Sequence, residues 1–348
     1  MGAAGYTIAG MLRFVCLILL AAPLLGQAPS ASVVGRVVDA SGAVVPGVAV
    51  KISNLDTNQT YRGSSNGSGD YTVLYLIPGR YSLEALAQGF RDYKRSEFTL
   101  QVDQELRLDI KLEVGATTET VTVTDTPTAL NTESGMRGDV TTNAEITEMP
   151  LNGRNFTDLA YLTGGVLPPG SGADGQFAVN GARADNVSSL VDGMNNTQRR
   201  NTAFVVGPSV DSIQEFKMIT SGFSAEYGRF AGGVLSVATK SGANRVRGSL
   251  YEFLRNSALN ARNYFDAGKS KVIQNQFGST VSGPVFIPKV YNGHDHTFFL
   301  VSWESLRQIS GSTQRGIVPQ AQMLQGNWSR AAGGNPSGIS TPKRPASL

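Results

Sequence analysis

The sequence has 348 residues, 41% hydrophobic and 16% charged, so it is long enough for two or three domains. Its apolar content and low charge exclude a generic disordered polypeptide. The formal net charge of +3 is too small to indicate nucleic-acid binding, so no nucleic-acid partner is expected.

Residues 1–27 have the features of a secretory signal peptide. Arg13 precedes a mostly apolar run over residues 14–25, and cleavage is expected near Gly26. The alternative is a buried or membrane helix, but about twelve apolar residues are too few to cross a bilayer. Cys16 is the one cysteine of the sequence and lies inside this run, so the exported chain is expected to contain no disulfide bond.

Short β-type runs alternate with turn residues from residue 31 to residue 113. The runs include VVGRVVD, VAVKISN, YTVLYL and RYSLEALA, and turn pairs such as Pro46-Gly47 and Pro78-Gly79 separate them. This spacing predicts a small antiparallel sandwich. The order SVVGRVVDASGAVVPGVAVKI followed by GDYTVLYLIPGRYSLEALAQGF resembles the carboxypeptidase regulatory-like domain, which implies a prealbumin-like β-sandwich over residues 31–113.

A strictly alternating run, ETVTVTD, follows the sandwich. Its valines lie on one face of the predicted strand and its threonines on the other. The run stands between the flanking regions and belongs to neither, so we predict a strand that awaits a partner. Two alternatives remain, an eighth strand of the sandwich or a linker that alternates by chance. The candidate partner-binding segment consists of Glu119, Thr120, Val121, Thr122, Val123, Thr124 and Asp125.

Residues 132–243 are rich in glycine and asparagine, with short apolar pieces between them. Helices are predicted at Asn155–Leu162 and Val210–Phe216, and the remainder is expected to be short strands. The run EYGRFAGGVLSVATKSGAN resembles the end of the plug domain of TonB-dependent outer-membrane receptors. A sandwich followed by such a plug is similar to the Oar-like subgroup of that family, which implies an α+β plug domain.

Residues 245–348 contain runs that alternate as transmembrane β-strands do, apolar outward and polar inward. In QNQFGSTVSGPV, Phe277 and Val281 share one face, while Gln276 and Thr280 share the other. TFFLVSWES alternates similarly, and RGSLYEFLRN is a weaker example that places Tyr251 and Phe253 together, opposite Glu252. About 100 residues supply three or four strands of the 22 that such a barrel needs, so a truncated barrel is expected.

The expected fold is therefore mainly β: the prealbumin-like β-sandwich, then the α+β plug domain, then the first few strands of an incomplete transmembrane β-barrel. The resemblance implies that TonB, with its inner-membrane motor proteins, captures residues 119–125 by strand addition and moves the plug. It also implies a cell outer membrane location, contact with outer-membrane lipid, a periplasmic sandwich and an unidentified extracellular ligand.

Signals for covalent chemistry are weak. The glycine pattern Gly170–Gly175 lacks the strand and helix of a phosphate site, and His294 and His296 are too few for a zinc site. Asp185, Asp192 and Asp211 are single loop carboxylates of the kind found in turns and caps. No enzyme, metal or cofactor is expected, and the resemblance to TonB-dependent receptors implies energised uptake as the function. The alternative is a soluble periplasmic or cell-surface β-sandwich that binds or scaffolds.

Overall fold

A computed structural model describes residues 31–115, 120–123, 134–149, 151, 153–168, 177–198, 204–228, 230–262, 269 and 271–311. The predicted signal peptide, the glycine run Gly170–Gly175 and the carboxyl-terminal tail lie outside these ranges. Strands predominate, which confirms the mainly β prediction. No helix in the described ranges is both long enough and apolar enough to cross a bilayer.

The amino-terminal unit is a sandwich of two sheets. One sheet has the order β4-β1-β7, with β8 also paired to β1, and the other has the order β3-β2-β5-β6-β9. Alternate residues of each strand turn inward, as in β1, where Val33 and Val37 are fully buried. The core between the sheets contains the rings of Tyr71, Tyr81 and Phe98. The strands are β1 Ala31–Val38, β2 Ala49–Asn54, β3 Thr60–Ser64, β4 Asp70–Leu76, β5 Gly79–Leu86, β6 Asp92–Leu100, β7 Glu105–Arg107, β8 Ile110–Lys111 and β9 Thr120–Val123.

Gly35 allows a close backbone approach in the middle of β1. The strand runs antiparallel to β4 and parallel to β7 and β8, and the Tyr71 hydroxyl donates to the carbonyl oxygen of Leu108 at 2.6 Å. A Cβ atom at Gly35 would lie 2.0 Å from that same carbonyl oxygen. The packing of the two chain segments therefore depends on the missing side chain.

A second, mixed sheet follows, with the order β10-β15-β16-β13-β14. β13 and β16 pair in parallel, and β15 lies antiparallel between β10 and β16. A short α-helix and two of the four 3-10 helices of this region contribute to a core that includes Phe156, Phe177 and Phe216. The elements are β10 Arg137–Thr142, α1 Asn143–Glu148, 3-10 helix Phe156–Leu162, β11 Val166–Leu167, β12 Ala178–Val179, 3-10 helix Ala184–Asn186, β13 Val187–Val191, β14 Met194–Asn195, 3-10 helix Val210–Ser212, β15 Ile213–Ser221, 3-10 helix Ala225–Tyr227 and β16 Gly233–Thr239.

One of the two helix predictions in this region is correct in position and the other is wrong. The first helix forms as the 3-10 helix Phe156–Leu162, and Asn155 caps it by accepting the Thr157 N–H at 3.2 Å. The second, predicted at Val210–Phe216, is a single 3-10 turn that leads into β15. Strand pairing on both sides of β15 outweighs the local helical pattern, because every backbone group of a central strand gains a partner.

The last described strands form a three-stranded sheet, β17-β18-β21, with a small hairpin, β19-β20, beside it. In β18 the polar residues Gln274, Gln276 and Thr280 are buried, whereas Val281 is 43% exposed. The strands are β17 Arg247–Asn256, β18 Val272–Pro284, β19 Phe286–Ile287, β20 Tyr291–Asn292 and β21 Phe298–Ser310. This alternation is the predicted one for a membrane strand, polar inward and apolar outward.

The faces predicted for β17 are reversed. Leu250 is 87% exposed and Glu252 is exposed with it, so these residues form the outer face. Tyr251 lies on the inner face, because its hydroxyl donates to Glu304 Oε2 at 2.9 Å. A phenol has both an apolar ring and a polar hydroxyl, so its side of a strand depends on the hydrogen-bond partner available.

We predict that Gly35→Ala destabilises the sandwich by roughly 3 kcal/mol or more, because the new methyl group meets backbone that has no room to move. Gly67→Ala is the matched control, since a Cβ there meets nothing within 4 Å. Thermal unfolding of a fragment spanning residues 31–123, followed by circular dichroism, measures both. Equal melting temperatures for the two variants would contradict the close approach at Gly35.

Candidate functional site

The candidate segment is partly described, and its described part is paired. Thr120–Val123 forms β9, the outermost strand of the five-stranded sheet, parallel to β6. The expectation that the segment belongs to neither neighbouring region is therefore wrong for these four residues, and the alternative of an additional sandwich strand is correct for them. Glu119, Thr124 and Asp125 lie outside the described residues.

The pairing gives the side chains of Val121, Thr122 and Val123 a defined environment. The register aligns Tyr93 with Val121, Lys94 with Thr122 and Arg95 with Val123. Val123 is half-buried and packs against the sandwich core, whereas Thr122 is exposed. The predicted alternation of valine and threonine faces is thus present, and the valine face is the one that turns toward the protein.

β9 has only one strand neighbour among the described residues. The sheet order ends at β9, so β6 occupies one edge of the strand and no described strand occupies the other. Backbone N–H and C=O groups along an open edge are a template for an incoming strand. The arrangement can therefore bind an extended peptide through its backbone.

The turn that follows β6 contacts the second sheet. The backbone N–H of Val102 donates to the Glu215 carboxylate, and Lys217 Nζ donates to the backbone oxygen of Asp103 at 2.9 Å. Asp103 lies in the left-handed region, with a φ of 50°. Glu215 and Lys217 are two residues apart in a strand and so share one face, and both are buried.

Burial changes the protonation of this cluster. It raises the pKa of Glu215 to about 7, although the hydrogen bond from Val102 opposes the change. Burial also raises the pKa of Asp103 and lowers the pKa of Lys217. The sequence analysis did not predict this cluster. The signal in the sequence is that Glu215 and Lys217, with opposite charges, occupy alternate positions of a mostly apolar run.

Arg154 forms a second buried contact, between the sheet region and the last strands. Its guanidinium pairs with Asp211, and the two side chains are only 8% and 15% exposed. The same guanidinium lies 4.7 Å from the centre of the Tyr251 ring, a cation–π distance. The hydroxyl of Tyr251 in turn donates a hydrogen bond to Glu304. A separate hydrogen bond joins Ser209 Oγ and Ser302 Oγ, which are 2.6 Å apart.

The other residues predicted from the sequence have structural roles. Asp211 is more than the turn residue expected, because it is the partner of Arg154. Asp192 accepts hydrogen bonds from the backbone and hydroxyl of Thr239 at 2.8 and 2.7 Å, as a turn residue does. Between His294 and His296, Asp295 accepts from the amides of Asn58 and Asn244 at 2.8 and 2.7 Å. No group of three potential metal ligands occurs within the described ranges.

Comparisons with known protein families match two parts of the chain. Residues 32–113 match the carboxypeptidase regulatory-like domain, and residues 238–346 match the outer membrane beta barrel domain. The sequence is 27% identical over 302 residues, 81% of the chain, to the TonB-dependent transporter Oar of Myxococcus xanthus. The chain spans 28% of the length of that relative.

Two solved structures show more distant likeness. The siderophore receptor PirA of Pseudomonas aeruginosa is 19% identical over 43% of this chain and 26% of its own, with a TM-score of 0.30. Catechol 1,2 dioxygenase of Acinetobacter radioresistens is 10% identical over 28% of this chain and 56% of its own, with a TM-score of 0.23. These TM-scores are too low to establish a shared overall fold.

The chain therefore combines a carboxypeptidase regulatory-like sandwich with an outer-membrane β-barrel domain. The similarity to Oar confirms the resemblance predicted from the sequence, and the barrel domain locates the chain in the outer membrane.

The first prediction from this site concerns pH. The folded pKa of Glu215, about 7, lies above its ordinary value of 4.5. The native state therefore keeps a proton that the unfolded state releases, so this contribution to stability is complete below pH 4.5 and is lost as the pH rises through 7. Between pH 5 and pH 8 the free energy of unfolding of the unmodified chain should fall by an amount on the order of 3 kcal/mol. Glu215→Gln keeps the acceptor oxygen but has no carboxyl proton to release, so this variant should not show the fall.

Urea unfolding of the whole chain in detergent micelles at pH 5 and pH 8 measures this difference. Glu148→Gln is the control, because Glu148 is exposed. We expect the control to retain the pH dependence of the unmodified chain. The same pH dependence in Glu215→Gln would show that the proton is held elsewhere.

The second prediction concerns Arg154. Arg154→Leu should lower the free energy of unfolding of the sheet region by about 3 kcal/mol, because the buried Asp211 carboxylate loses its guanidinium partner. Adding Asp211→Leu should recover most of that loss, since no unpaired charge remains. A double-mutant cycle with urea unfolding measures the coupling, and additive effects of the two changes would contradict it.

Proposed function

We propose that this chain carries the amino-terminal modules of an Oar-like TonB-dependent outer-membrane receptor. The modules are a signal peptide at residues 1–27, the periplasmic sandwich at 31–113, a TonB-binding segment at 119–125, a plug at 132–243 and barrel strands from 245 onward. The sequence similarity to Oar extends over 81% of this chain and supports this proposal.

The observation that carries this proposal is the position of β9. It is the last strand of the sandwich in chain order, it has an open edge among the described residues, and it precedes the mixed sheet. A partner that captures an extended segment by backbone pairing needs such an edge. A force applied at this position reaches the plug through the chain that directly follows.

The mechanism is energised uptake without covalent chemistry. An extracellular ligand binds to the plug and barrel loops, and TonB binds residues 119–125 from the periplasm. The inner-membrane motor proteins of TonB supply the pull, which displaces the plug and opens a path through the barrel. Siderophore, glycan, peptide and secreted-protein ligands all fit this scheme.

The exposed apolar face of the last strands supports a membrane protein over a soluble periplasmic binding or scaffold protein. Leu250, Val301 and Trp303 are 87%, 60% and 55% exposed. Large apolar side chains exposed to this degree are costly in water, and outer-membrane lipid is the partner that would cover them.

We predict that Val123→Pro abolishes binding of the periplasmic domain of TonB and that Val123→Thr does not. Proline removes a backbone N–H and fixes φ within the strand, whereas threonine keeps the N–H and the β preference. Titration calorimetry with the whole chain in detergent micelles measures both affinities. Equal affinity of the proline variant and the unmodified chain would place the TonB-binding segment elsewhere.

The proline variant needs a measurement of sandwich stability as its control, because Val123 belongs to a strand of the sandwich. Because Val123 is aligned with Arg95 of β6 and packs on the core, Val123→Pro should also loosen the sheet edge. The melting temperature of the sandwich should fall by a few degrees at most, about 1 kcal/mol, since only an edge strand is lost. Complete unfolding would mean that the loss of binding reports instability.

A further inference from the structure

We propose that the turn after β6 and the mixed sheet form a separable contact, and that a proton on Glu215 keeps this contact closed. When Glu215 ionises, the turn leaves the sheet while the sandwich and the sheet region both stay folded. The contact is a property of these two modules alone, whatever ligand or partner the chain binds.

The two faces of the mixed sheet differ in their chemistry. Phe216 and Met218 of β15 turn to one side, into the apolar core of this region. Glu215 and Lys217 turn to the other side, and cross-strand pairing places Ser236 beside Lys217 there. These three polar residues are buried, with exposures of 6%, 5% and 1%. A covered face of this polarity is typical of an interface between modules that also separate, because each of its groups can be hydrated when the cover leaves.

The turn after β6 is what covers this polar face. The N–H of Val102 donates to the Glu215 carboxyl group, and Lys217 Nζ donates to the backbone oxygen of Asp103 at 2.9 Å. Val102 is fully buried although it lies in neither of the two cores. The contact can therefore open while both cores remain intact.

The charges around Glu215 make the contact sensitive to a proton. Asp103 of the turn and Lys217 of β15 both act on Glu215, and the hydroxyl of Tyr227 lies near Asp103. A carboxylate at Asp103 and an ammonium at Lys217 balance each other. A protonated Glu215 therefore leaves the cluster neutral, whereas an ionised Glu215 leaves it with a net negative charge that is buried, which is costly.

Rising pH favours the open contact. Burial raises the pKa of Glu215 to about 7 in the closed contact, whereas its ordinary value is 4.5. The closed state holds a proton that the open state releases between these two values. Burial also raises the pKa of Asp103, which therefore acts in the same direction at lower pH. Burial lowers the pKa of Lys217, which acts in the opposite direction as the pH approaches its ordinary value of 10.5.

A cavity at the edge of the contact gives solvent a path to the carboxyl group of Glu215. The cavity has a volume of about 430 Å³, and Glu215 is one of its lining residues. The other charged residues that line it are Asp56, Arg80, Asp192, Lys240 and Arg247. Asp56 pairs with both arginines, and Asp192 accepts hydrogen bonds from Thr239. The proton on Glu215 can thus exchange with water without unfolding of either module.

Thiol labelling at the turn tests the proposal. Val102→Cys is the reporter, in the whole chain in detergent micelles with Cys16→Ser, which removes the one native cysteine. Ser68→Cys lies at an exposed site of the sandwich and gives the intrinsic reactivity of a thiol at each pH. Val50→Cys reports the sandwich core, because Val50 is 1% exposed. The rate of reaction with a maleimide is measured at pH 5.5 and pH 8.

Relative to Ser68→Cys, labelling of Val102→Cys should accelerate about thirtyfold from pH 5.5 to pH 8, as expected for one proton held with a pKa of about 7 in place of 4.5. Adding Glu215→Gln should abolish the acceleration. Adding Glu148→Gln, a change at an exposed carboxylate, should leave it in place. Val50→Cys should remain protected at both pH values.

A labelling rate at Val102→Cys that is independent of pH, relative to Ser68→Cys, would overturn the proposal. An acceleration that persists in Glu215→Gln would also overturn it, since another group, such as His294 or His296, would then hold the proton. An equal acceleration at Val50→Cys would mean unfolding of the sandwich and not the opening of a contact. Hydrogen exchange over residues 101–104 of the unmodified chain, corrected for the intrinsic rate at each pH, repeats the test without a new side chain, and constant protection there would contradict the opening.

Discussion

The need to pair every buried backbone group at the edges of strands governs this structure. β1 satisfies it with an antiparallel neighbour on one side and with two short parallel strands on the other. β15 satisfies it by lying between β10 and β16. At the end of the second sandwich sheet, β6 satisfies it with Thr120–Val123. An unpaired N–H or C=O group away from water costs as much as a lost hydrogen bond, so a strand with an open side takes whichever extended segment lies near it.

Buried charges lie where separate segments of the chain meet. Glu215 and Lys217 contact the turn after β6, and Arg154 contacts Asp211 and Tyr251. A buried ion pair adds little net stability compared with an apolar contact of the same size, but an incomplete pair is costly. The free-energy cost of leaving one of these charges unpaired in a misfolded arrangement is therefore larger than the net stability that the pairs add to the native fold. Contacts of this kind are specific when assembled and can separate when their charges gain access to water or protons.

The sequence predicts the parts of the structure that depend on local pattern. Alternation identifies most of the sandwich strands, the inward polar residues of β18 and the two faces of β9. The errors have a common physical origin, which is a partner distant in the sequence. Val210–Phe216 has a helical start but pairs with strands on both sides. Tyr251 faces inward because Glu304 accepts from it, and Thr120–Val123 pairs with residues 28 positions earlier, as in Asp92 with Thr120. The Glu215 cluster was not foreseen, because a single strand does not show which turn will cover it.

The same distant pairing changes what the alternating segment means for function. A segment without a partner would present both of its backbone edges to any incoming strand. A segment held on β6 is available in proportion to the opening of one short parallel ladder, which is among the least stable parts of a sandwich. The turn at Val102 and Asp103 directly follows β6 and contacts Glu215 and Lys217 of β15. This turn therefore joins the sandwich edge that carries Thr120–Val123, through β6, to the buried Glu215 and Lys217 of β15.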